Sequence, residues 1–308
     1  MADTALKGPM LLAPMAGVND PVFRAICKRM GATLTYTEMI SAKALEYKNH
    51  KTAEMLFMLD EEKPAAIQLF GRDPATLAEQ ARLLEKSCQE DIVLIDLNMG
   101  CPSRKIAGRG EGAALMRDFD TAEKIMRSVV TSVCLPVSVK FRKGYELEDD
   151  IAADFASLAQ SCGITQVAVH GRTARQLFHG TSDRELIARV KQAVSIPVLA
   201  SGDVFTTEDV RSYIEDYGAD AVMVARGAQG NPWIFSGVVP SLQERVEIAL
   251  EHTRGLASLL PHRLSSMRRH ISWYFKGSAH AARIRKAVQD CVSLADYEAL
   301  LESIPELK

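Results

Sequence analysis

Eight short apolar segments rich in branched side chains recur before Pro240, and they constrain the fold more than any other feature. They span Met10–Ala13, Thr33–Met39, Ala65–Phe70, Ile92–Met99, Pro136–Phe141, Gln166–Gly171, Pro197–Asp203 and Ala221–Gly227. Amphipathic segments lie between them, which indicates βαβ units around a parallel sheet. Eight such units in about 230 residues match a TIM (β/α)8 barrel. A doubly wound open sheet is the alternative.

Polar side chains lie at or just past the carboxyl ends of six segments. They are Gln68, Asn98, Lys140, His170, Ser201 with Asp203, and Arg226. A barrel brings all strand ends to one face, whereas an open sheet spreads them along its edge. The pattern therefore favours a barrel with a single site. Gly202, Gly227 and Arg226 follow strands seven and eight, where this fold usually binds phosphate.

The pattern changes after Pro240, which predicts a barrel domain over 1–240 and a helical domain over 241–308. Helices are predicted over Ser241–Leu260 and Met267–Lys286. From His252 to Gln289 the chain has basic and aromatic residues but no Asp or Glu. Ordinary solvated faces mix both signs, so this segment favours contact with the phosphates and bases of a nucleic acid. An amphipathic helix with a solvated basic face is the simpler alternative.

The formal net charge is −2, so any contact with nucleic acid must come from a local patch. The six cysteines are scattered without a C-x-x-C pair, so we expect neither a disulfide framework nor a metal site. No apolar run is long enough to span a bilayer, and the N-terminal residues do not resemble a signal peptide. A cytoplasmic location is expected.

Cys101 lies in the sequence N-M-G-C-P-S at 98–103, directly after a predicted strand. The flanking Gly100 and Pro102 hold its thiol in a fixed geometry at the strand end. Such a thiol can act as a nucleophile, a metal ligand or a proton donor; a buried structural cysteine is the alternative. Because no second Cys or His is near in sequence, proton transfer is favoured over metal ligation.

The glycine-rich segment Gly108–Gly112 follows this motif. It does not come directly after a strand, and it lacks the Lys-Ser/Thr pair of a P-loop. We expect it to form a loop over the barrel mouth, with Arg104, Lys105 and Arg109 facing an anionic ligand.

Together these motifs resemble the tRNA-dihydrouridine synthases. In chain order they are L-A-P-M-A-G-V at 12–18, Q-L-F-G at 68–71, D-L-N-M-G-C-P at 96–102, S-V-K at 138–140, V-H-G-R-T at 169–173, S-G-D at 201–203 and A-R-G-A-Q-G-N-P-W at 225–233. The resemblance runs from Met10 to about Lys286. The last motif and the basic segment look most like the bacterial B-type branch.

The resemblance implies an FMN-binding TIM barrel followed by a small helical tRNA-binding domain. It also implies NADPH-driven reduction of the C5–C6 double bond of a D-loop uridine, with position 17 suggested by the B-type likeness. In that reaction a hydride passes from flavin N5 to C6, and Cys101 gives a proton to C5. A monomer without an obligate protein partner is the family default.

Site residues carried over from the family fall into two groups. Residues expected to hold FMN are Ala13, Pro14, Met15, Ala16, Gln68, Lys140, His170, Ser201, Gly202, Asp203, Ala225 and Arg226. Residues expected to contact the uridine or the tRNA are Asn98, Arg104, Lys105, Arg109, Arg142, Arg172, Arg268, Arg269, Lys276 and Arg283. Ser201 and Ala225 stand where the family usually has Asn and Gly, so we expect FMN binding that is retained but weaker.

Two alternatives stay open from the sequence. One is an FMN oxidoreductase acting on a small pyrimidine, similar to dihydroorotate dehydrogenase. The acid-free basic segment weighs against it, because a small substrate needs no such surface. The other is a non-catalytic RNA-binding barrel, which would have no need for Cys101, Lys140 and His170.

Overall fold

Eight parallel strands form a closed barrel in the computed structural model, which describes residues 9–88 and 90–304. The strands are β1 (Met10–Leu12), β2 (Leu34–Ser41), β3 (Ala65–Phe70), β4 (Ile92–Met99), β5 (Val137–Arg142), β6 (Gln166–His170), β7 (Val198–Ser201) and β8 (Ala221–Val224). Each strand pairs with the next in sequence, and β8 closes on β1. The predicted barrel is confirmed and the open sheet is wrong. Residues 1–8, on which the signal-peptide expectation partly rests, lie outside the described residues.

Helices connect the strands on the outside of the barrel. They are α1 (Pro21–Arg29), α2 (Ala42–Glu46), α3 (His50–Glu54), α4 (Pro74–Ser87), α5 (Arg104–Ala107), α6 (Phe119–Val130), α7 (Ala152–Ser161), α8 (Glu185–Ala193) and α9 (Thr207–Glu215). Asp20, Asp73, Asp118 and Thr206 cap α1, α4, α6 and α9 with a side-chain oxygen that accepts a backbone N–H. These caps satisfy donors that the first helical turn leaves free.

The interior of the barrel becomes polar toward the carboxyl ends of the strands. Tyr36 and Leu94 belong to a buried cluster at the barrel centre. Because side chains alternate between the two faces of a strand, Asp96 and Asn98 share the inner face of β4 with Leu94. Each lies two residues closer to the carboxyl end of the strand than the one before it. The carboxyl end of the barrel therefore offers polar groups on a rigid frame.

After β8 the described chain contains helices but no further strand. They are α10 (Leu242–Leu259), α11 (Met267–Tyr274), α12 (Ala281–Ala287) and α13 (Leu294–Ser303), with a short 3-10 segment over Pro261–Ser266. The helix predicted over Met267–Lys286 is wrong, because the chain turns after Tyr274 and Gly277 adopts a φ of +82°. Within the described part of the chain, no helix has the length and apolar character needed to cross a bilayer.

The helical region packs directly on α1 of the barrel. Its hydrophobic cluster includes Val22 and Ile26 of α1 together with Trp233. The contact is also close at Gly230, where an added Cβ would lie 2.1 Å from the backbone carbonyl carbon of Trp273. Barrel and helical region thus share one apolar interface.

Asp20 of the barrel and His252 and His270 of the helical region are buried polar side chains that meet at this interface. His252 Nε2 lies 3.0 and 3.1 Å from the two carboxylate oxygens of Asp20, and its Nδ1 lies 3.0 Å from the Tyr274 hydroxyl. His270 lies beside them. One carboxylate oxygen of Asp20, one ring nitrogen of His252 and one ring nitrogen of His270 lie within 4.8 Å of one another. Burial, and then His252, lower the pKa of His270 to about 3, so its ring is neutral.

Candidate active site

A cavity of about 310 Å³ opens at the carboxyl ends of the strands, within the size range of small-molecule sites. All residues predicted to hold FMN line it, except Gln68. Cys101, Asn98 and Arg142 also line it. The structure therefore brings residues from seven strand ends or their loops to one place.

Gln68 does not reach this cavity. Its side chain is fully buried, with Nε2 donating to Asp96 at 2.6 Å and Oε1 accepting from Asn98 at 2.8 Å. In this structure the side chain holds Asn98 from below, and its contact with the flavin stays a prediction.

Asn98 fixes the turn that carries the cysteine. Its Oδ1 accepts the backbone N–H groups of Gly100 at 3.3 Å and Cys101 at 3.0 Å. Cys101 is partly exposed and faces the cavity. Burial raises the pKa of its thiol, so the thiol keeps its proton at neutral pH. A protonated thiol on a rigid turn is suited to proton donation.

Arg142 is an enclosed side chain rather than a surface cation. Its guanidinium donates to the carbonyls of Gly100 at 2.8 Å, Thr173 at 3.0 Å and Leu177 at 3.1 Å. Only 4% of the residue is exposed. The side chain holds the Cys101 loop and forms part of the cavity wall, and its contact with the tRNA stays a prediction.

Lys140 presents a cation to the cavity. It forms no hydrogen bond with any described residue, and burial followed by Arg142 lowers the pKa of its ammonium to about 8. Behind it, Asp96 accepts hydrogen bonds from Ser138 at 2.5 Å and from Gln68. Burial raises the pKa of Asp96 to about 6. The ammonium thus lies in a largely enclosed site where it can stabilise negative charge on a ligand.

Arg172 and Asp203 form a buried pair beside the cavity. Two nitrogens of Arg172 lie 2.8 and 2.6 Å from the two carboxylate oxygens of Asp203, and Arg172 also donates to the carbonyls of His179 and Gly180. Arg172 is 1% exposed. The expectation that Arg172 contacts tRNA is therefore wrong. Asp203 also accepts from Arg226 at 3.0 Å, so its carboxylate orients two arginines.

His170 and Gly202 form a polar recess in the cavity. His170 Nε2 is buried and has no hydrogen-bond partner among the described groups. Burial, then Arg142 and Lys140, lower the pKa of His170 well below its usual value, so the ring is neutral. Gly202 has a φ of +121°, and an added Cβ would lie 2.3 Å from Ser182 Oγ and 2.7 Å from the His170 ring. Only glycine fits at this position, because a side chain would clash with Ser182 and His170.

Two phenylalanines at the cavity mouth were missed by the sequence analysis. The Arg226 guanidinium lies 4.5 Å from the Phe178 ring centre and 5.5 Å from that of Phe205. Both phenyl side chains line the cavity, although they are 54% and 48% exposed. No local pattern marks them in the sequence, because their role depends on where two separate loops meet.

The other expected RNA contacts differ in their availability. Five are exposed and form no hydrogen bond with a described residue: Arg104, Lys105, Arg109, Lys276 and Arg283. Arg268 donates to the Cys291 carbonyl at 2.9 Å, and Arg269 donates to the Gly17 carbonyl at 3.0 Å. These two arginines therefore also hold the protein together.

The family model for dihydrouridine synthases matches residues 11–307. The chain belongs to the dihydrouridine synthase family. A tRNA-dihydrouridine synthase B of Xanthomonas campestris is 36% identical, covering 96% of this chain and 95% of its own length. Another, of Pseudomonas aeruginosa, is 38% identical, covering 87% of this chain and 84% of its own. The resemblance seen in the motifs is confirmed, and membership in this enzyme family decides against both alternatives.

A solved structure shares the barrel with this family member. Histamine dehydrogenase from Rhizobium sp. 4-9 is 12% identical and superposes with a TM-score of 0.58, over 81% of this chain and 49% of that enzyme. The chain thus spans about half the length of that protein. At this identity the likeness shows the fold alone.

Proposed function

We propose that this protein is a B-type tRNA-dihydrouridine synthase, which uses FMN to reduce the C5–C6 double bond of a D-loop uridine. One observation carries the proposal: in a chain of this family, a protonated Cys101 thiol shares a cavity with the Lys140 ammonium and His170 Nε2, neither of which has a hydrogen-bond partner among the described residues. These groups provide a proton, a positive charge and a polar anchor at one place.

The residues around the cavity fit FMN. No described residue hydrogen-bonds to His170 Nε2 or to the Lys140 ammonium, and Gly202 lets the backbone after β7 lie close to the His170 ring. Arg226 is held by Asp203 next to this recess and would bind the phosphate. FMN, when bound, supplies the hydride. Ser201 and Ala225 also line the cavity, and weaker FMN binding than in relatives with Asn and Gly is still our prediction.

Cys101 would deliver a proton to C5 of the uracil. The turn held by Asn98 and Arg142 keeps the thiol at one position on the cavity wall. A uracil must leave its stack to reach this wall, at a cost of about a few kcal/mol. The exposed Phe178 and Phe205 at the mouth offer apolar rings to an unstacked base.

The remaining parts of the proposal concern partners. NADPH would be the electron donor, and residues 241–308 would form the tRNA-binding domain of a catalytic barrel at 1–240. Support comes from the exposed basic side chains Lys276 and Arg283 on this region. Position 17 of tRNA, a monomeric state and a cytoplasmic location complete the proposal.

An absorbance spectrum of the purified protein tests the cofactor first. Flavin bands and release of FMN are expected, followed by dihydrouridine formation in tRNA that lacks it, with NADPH supplied. A protein that binds no added FMN, or that binds FMN but leaves such tRNA unchanged, would overturn the proposed function.

The rate of uridine reduction is expected to fall as the pH rises through about 8. Without a ligand the pKa of Lys140 is lowered to about 8, and negative charge on a bound ligand raises it, so the charged form is lost at or above that pH. Burial raises the pKa of the Cys101 thiol above its ordinary value, so the thiol still holds its proton near pH 8. Single-turnover rates between pH 6 and about 9.5, with the flavin reduced beforehand, measure this. A rate that increases above pH 8 would contradict the role of Lys140.

Replacing Lys276 and Arg283 together with alanine is expected to weaken tRNA binding and its salt dependence. Each lost phosphate contact reduces the slope of log K against log salt by about 1, so the double variant should lose about 1 to 2. The measurement is tRNA affinity at several salt concentrations. Arg82→Ala, a surface change on α4, is the control. An unchanged slope would show that these two residues do not contact the phosphates of tRNA.

A further inference from the structure

The loop between β1 and α1, residues 13–20, forms one wall of the active-site cavity. Ala13, Pro14, Met15 and Val18 of this loop line the cavity. The shape of such a wall depends on the groups that hydrogen-bond to its backbone N–H and C=O groups. Several side chains that hydrogen-bond to this loop belong to the helical region after Pro240, which is the proposed tRNA-binding domain.

Gly17 is held from two sides. Its N–H donates to Glu38 Oε2, and its carbonyl accepts from Arg269 Nη2 at 3.0 Å. Gly17 has a φ of +71°, and an added Cβ would lie 3.2 Å from the Arg269 guanidinium. Arg263 donates to the other oxygen of Glu38 at 2.5 Å, and Glu38 is 6% exposed. Two arginines of the helical region thus converge on one turn of the cavity loop.

The end of the loop has a second anchor in the same region. Asp20 is bonded to His252 of α10, and both side chains are buried. Although burial raises it, the pKa of Asp20 is held well below its usual value, mainly by His252. The carboxylate is therefore charged and stays in this contact at neutral pH. Gly17 and Asp20 are both fixed by residues outside the barrel.

We propose that Glu38, Arg263 and Arg269 are positioning residues for the flavin site. They form a clamp between the helical region and the β1–α1 loop, and this clamp sets the affinity for FMN. The inference rests on the proposed function, because FMN is the ligand assigned to that wall. Arg269 then serves the cofactor site even when no tRNA is bound.

The test compares four variants with the wild-type protein. Arg269→Ala and Glu38→Ala each remove one contact to Gly17, and Glu38→Gln keeps an oxygen that can accept its N–H. Arg254→Ala is the matched control, because this exposed arginine pairs with Glu298 inside the helical region. Two quantities are measured: the FMN dissociation constant of the apoprotein, and hydrogen exchange of residues 13–20 without FMN.

Arg269→Ala and Glu38→Ala are each expected to raise the FMN dissociation constant about tenfold, which is the loss of one hydrogen bond to a charged group. Exchange of residues 13–20 should become faster in both variants before any FMN is added. Glu38→Gln should recover part of the affinity because its amide oxygen replaces one acceptor. Arg254→Ala should match the wild type in both measurements.

Other outcomes would overturn the clamp. Unchanged FMN affinity and exchange in Arg269→Ala and Glu38→Ala would show that these contacts do not position the loop. An equal loss in Arg254→Ala, with a lower melting temperature, would indicate general loosening of the helical region instead. A wild-type protein that binds no FMN would contradict both the proposed function and the effect of the clamp on FMN affinity. If only the clamp is wrong, the wild type and all variants bind FMN with equal affinity.

Discussion

Cys101→Ala is expected to lower the rate of dihydrouridine formation about 100-fold or more, while FMN and tRNA stay bound. A positioned general acid contributes about 10² to 10⁴ in rate, and no described side chain other than Cys101 supplies a thiol to this cavity. The turn that carries residue 101 is held through backbone groups by Asn98 and Arg142. Removing the sulfur therefore removes the proton without moving the loop.

The measurement is single-turnover conversion of uridine in tRNA lacking dihydrouridine, with the flavin content of each preparation determined first. Cys134→Ala is the matched control, because Cys134 is exposed and does not line the cavity. It should react as fast as the wild type. A Cys101→Ala protein that keeps the wild-type rate would show that the proton comes from another group.

Lys140→Met is expected to lower the same rate about 10²- to 10³-fold, the range for removing one group that stabilises charge in a transition state. The variant should also be at least as stable as the wild type. In the folded protein the pKa of Lys140 is about 8, below its ordinary 10.5, so the charged form is disfavoured by folding. Its removal relieves up to about 3 kcal/mol, a net value that already includes the attraction between Lys140 and Asp96.

Rates and melting temperatures of Lys140→Met and Lys124→Met distinguish this role from a structural one. Lys124 is exposed on α6 and does not line the cavity, so its variant should match the wild type in rate. Lower activity together with an unchanged or higher melting temperature is expected for Lys140→Met. Lower activity that follows unfolding would contradict the assignment.

Periodicity predicted the barrel because it repeats with every βα unit. All eight strands lie where apolar runs occur, and β3 and β4 match their predicted bounds residue for residue. The location of the site could also be predicted. Side chains at strand ends such as Lys140 and His170 must converge once the sheet closes, and they line one cavity.

The partners of each arginine could not be predicted from the sequence. Arg142 and Arg172 resemble free cations in a linear chain, but carbonyls and a carboxylate from distant loops enclose them. The prediction of one helix over Met267–Lys286 is wrong for a related reason. The helix ends at Tyr274 and the chain turns through Gly277, which has a positive φ; periodicity does not detect one turn between two basic amphipathic segments.

The contact between the barrel and the helical region also limits how this protein can change over evolution. Val22 and Ile26 of α1 lie in the same hydrophobic cluster as the helices after Leu242, and the backbone at Gly230 leaves no room for a side chain against Trp273. A recombination event near Pro240 that replaced the helical region alone would leave apolar surface exposed to water. A replacement of the whole helical region must therefore carry matching changes on α1.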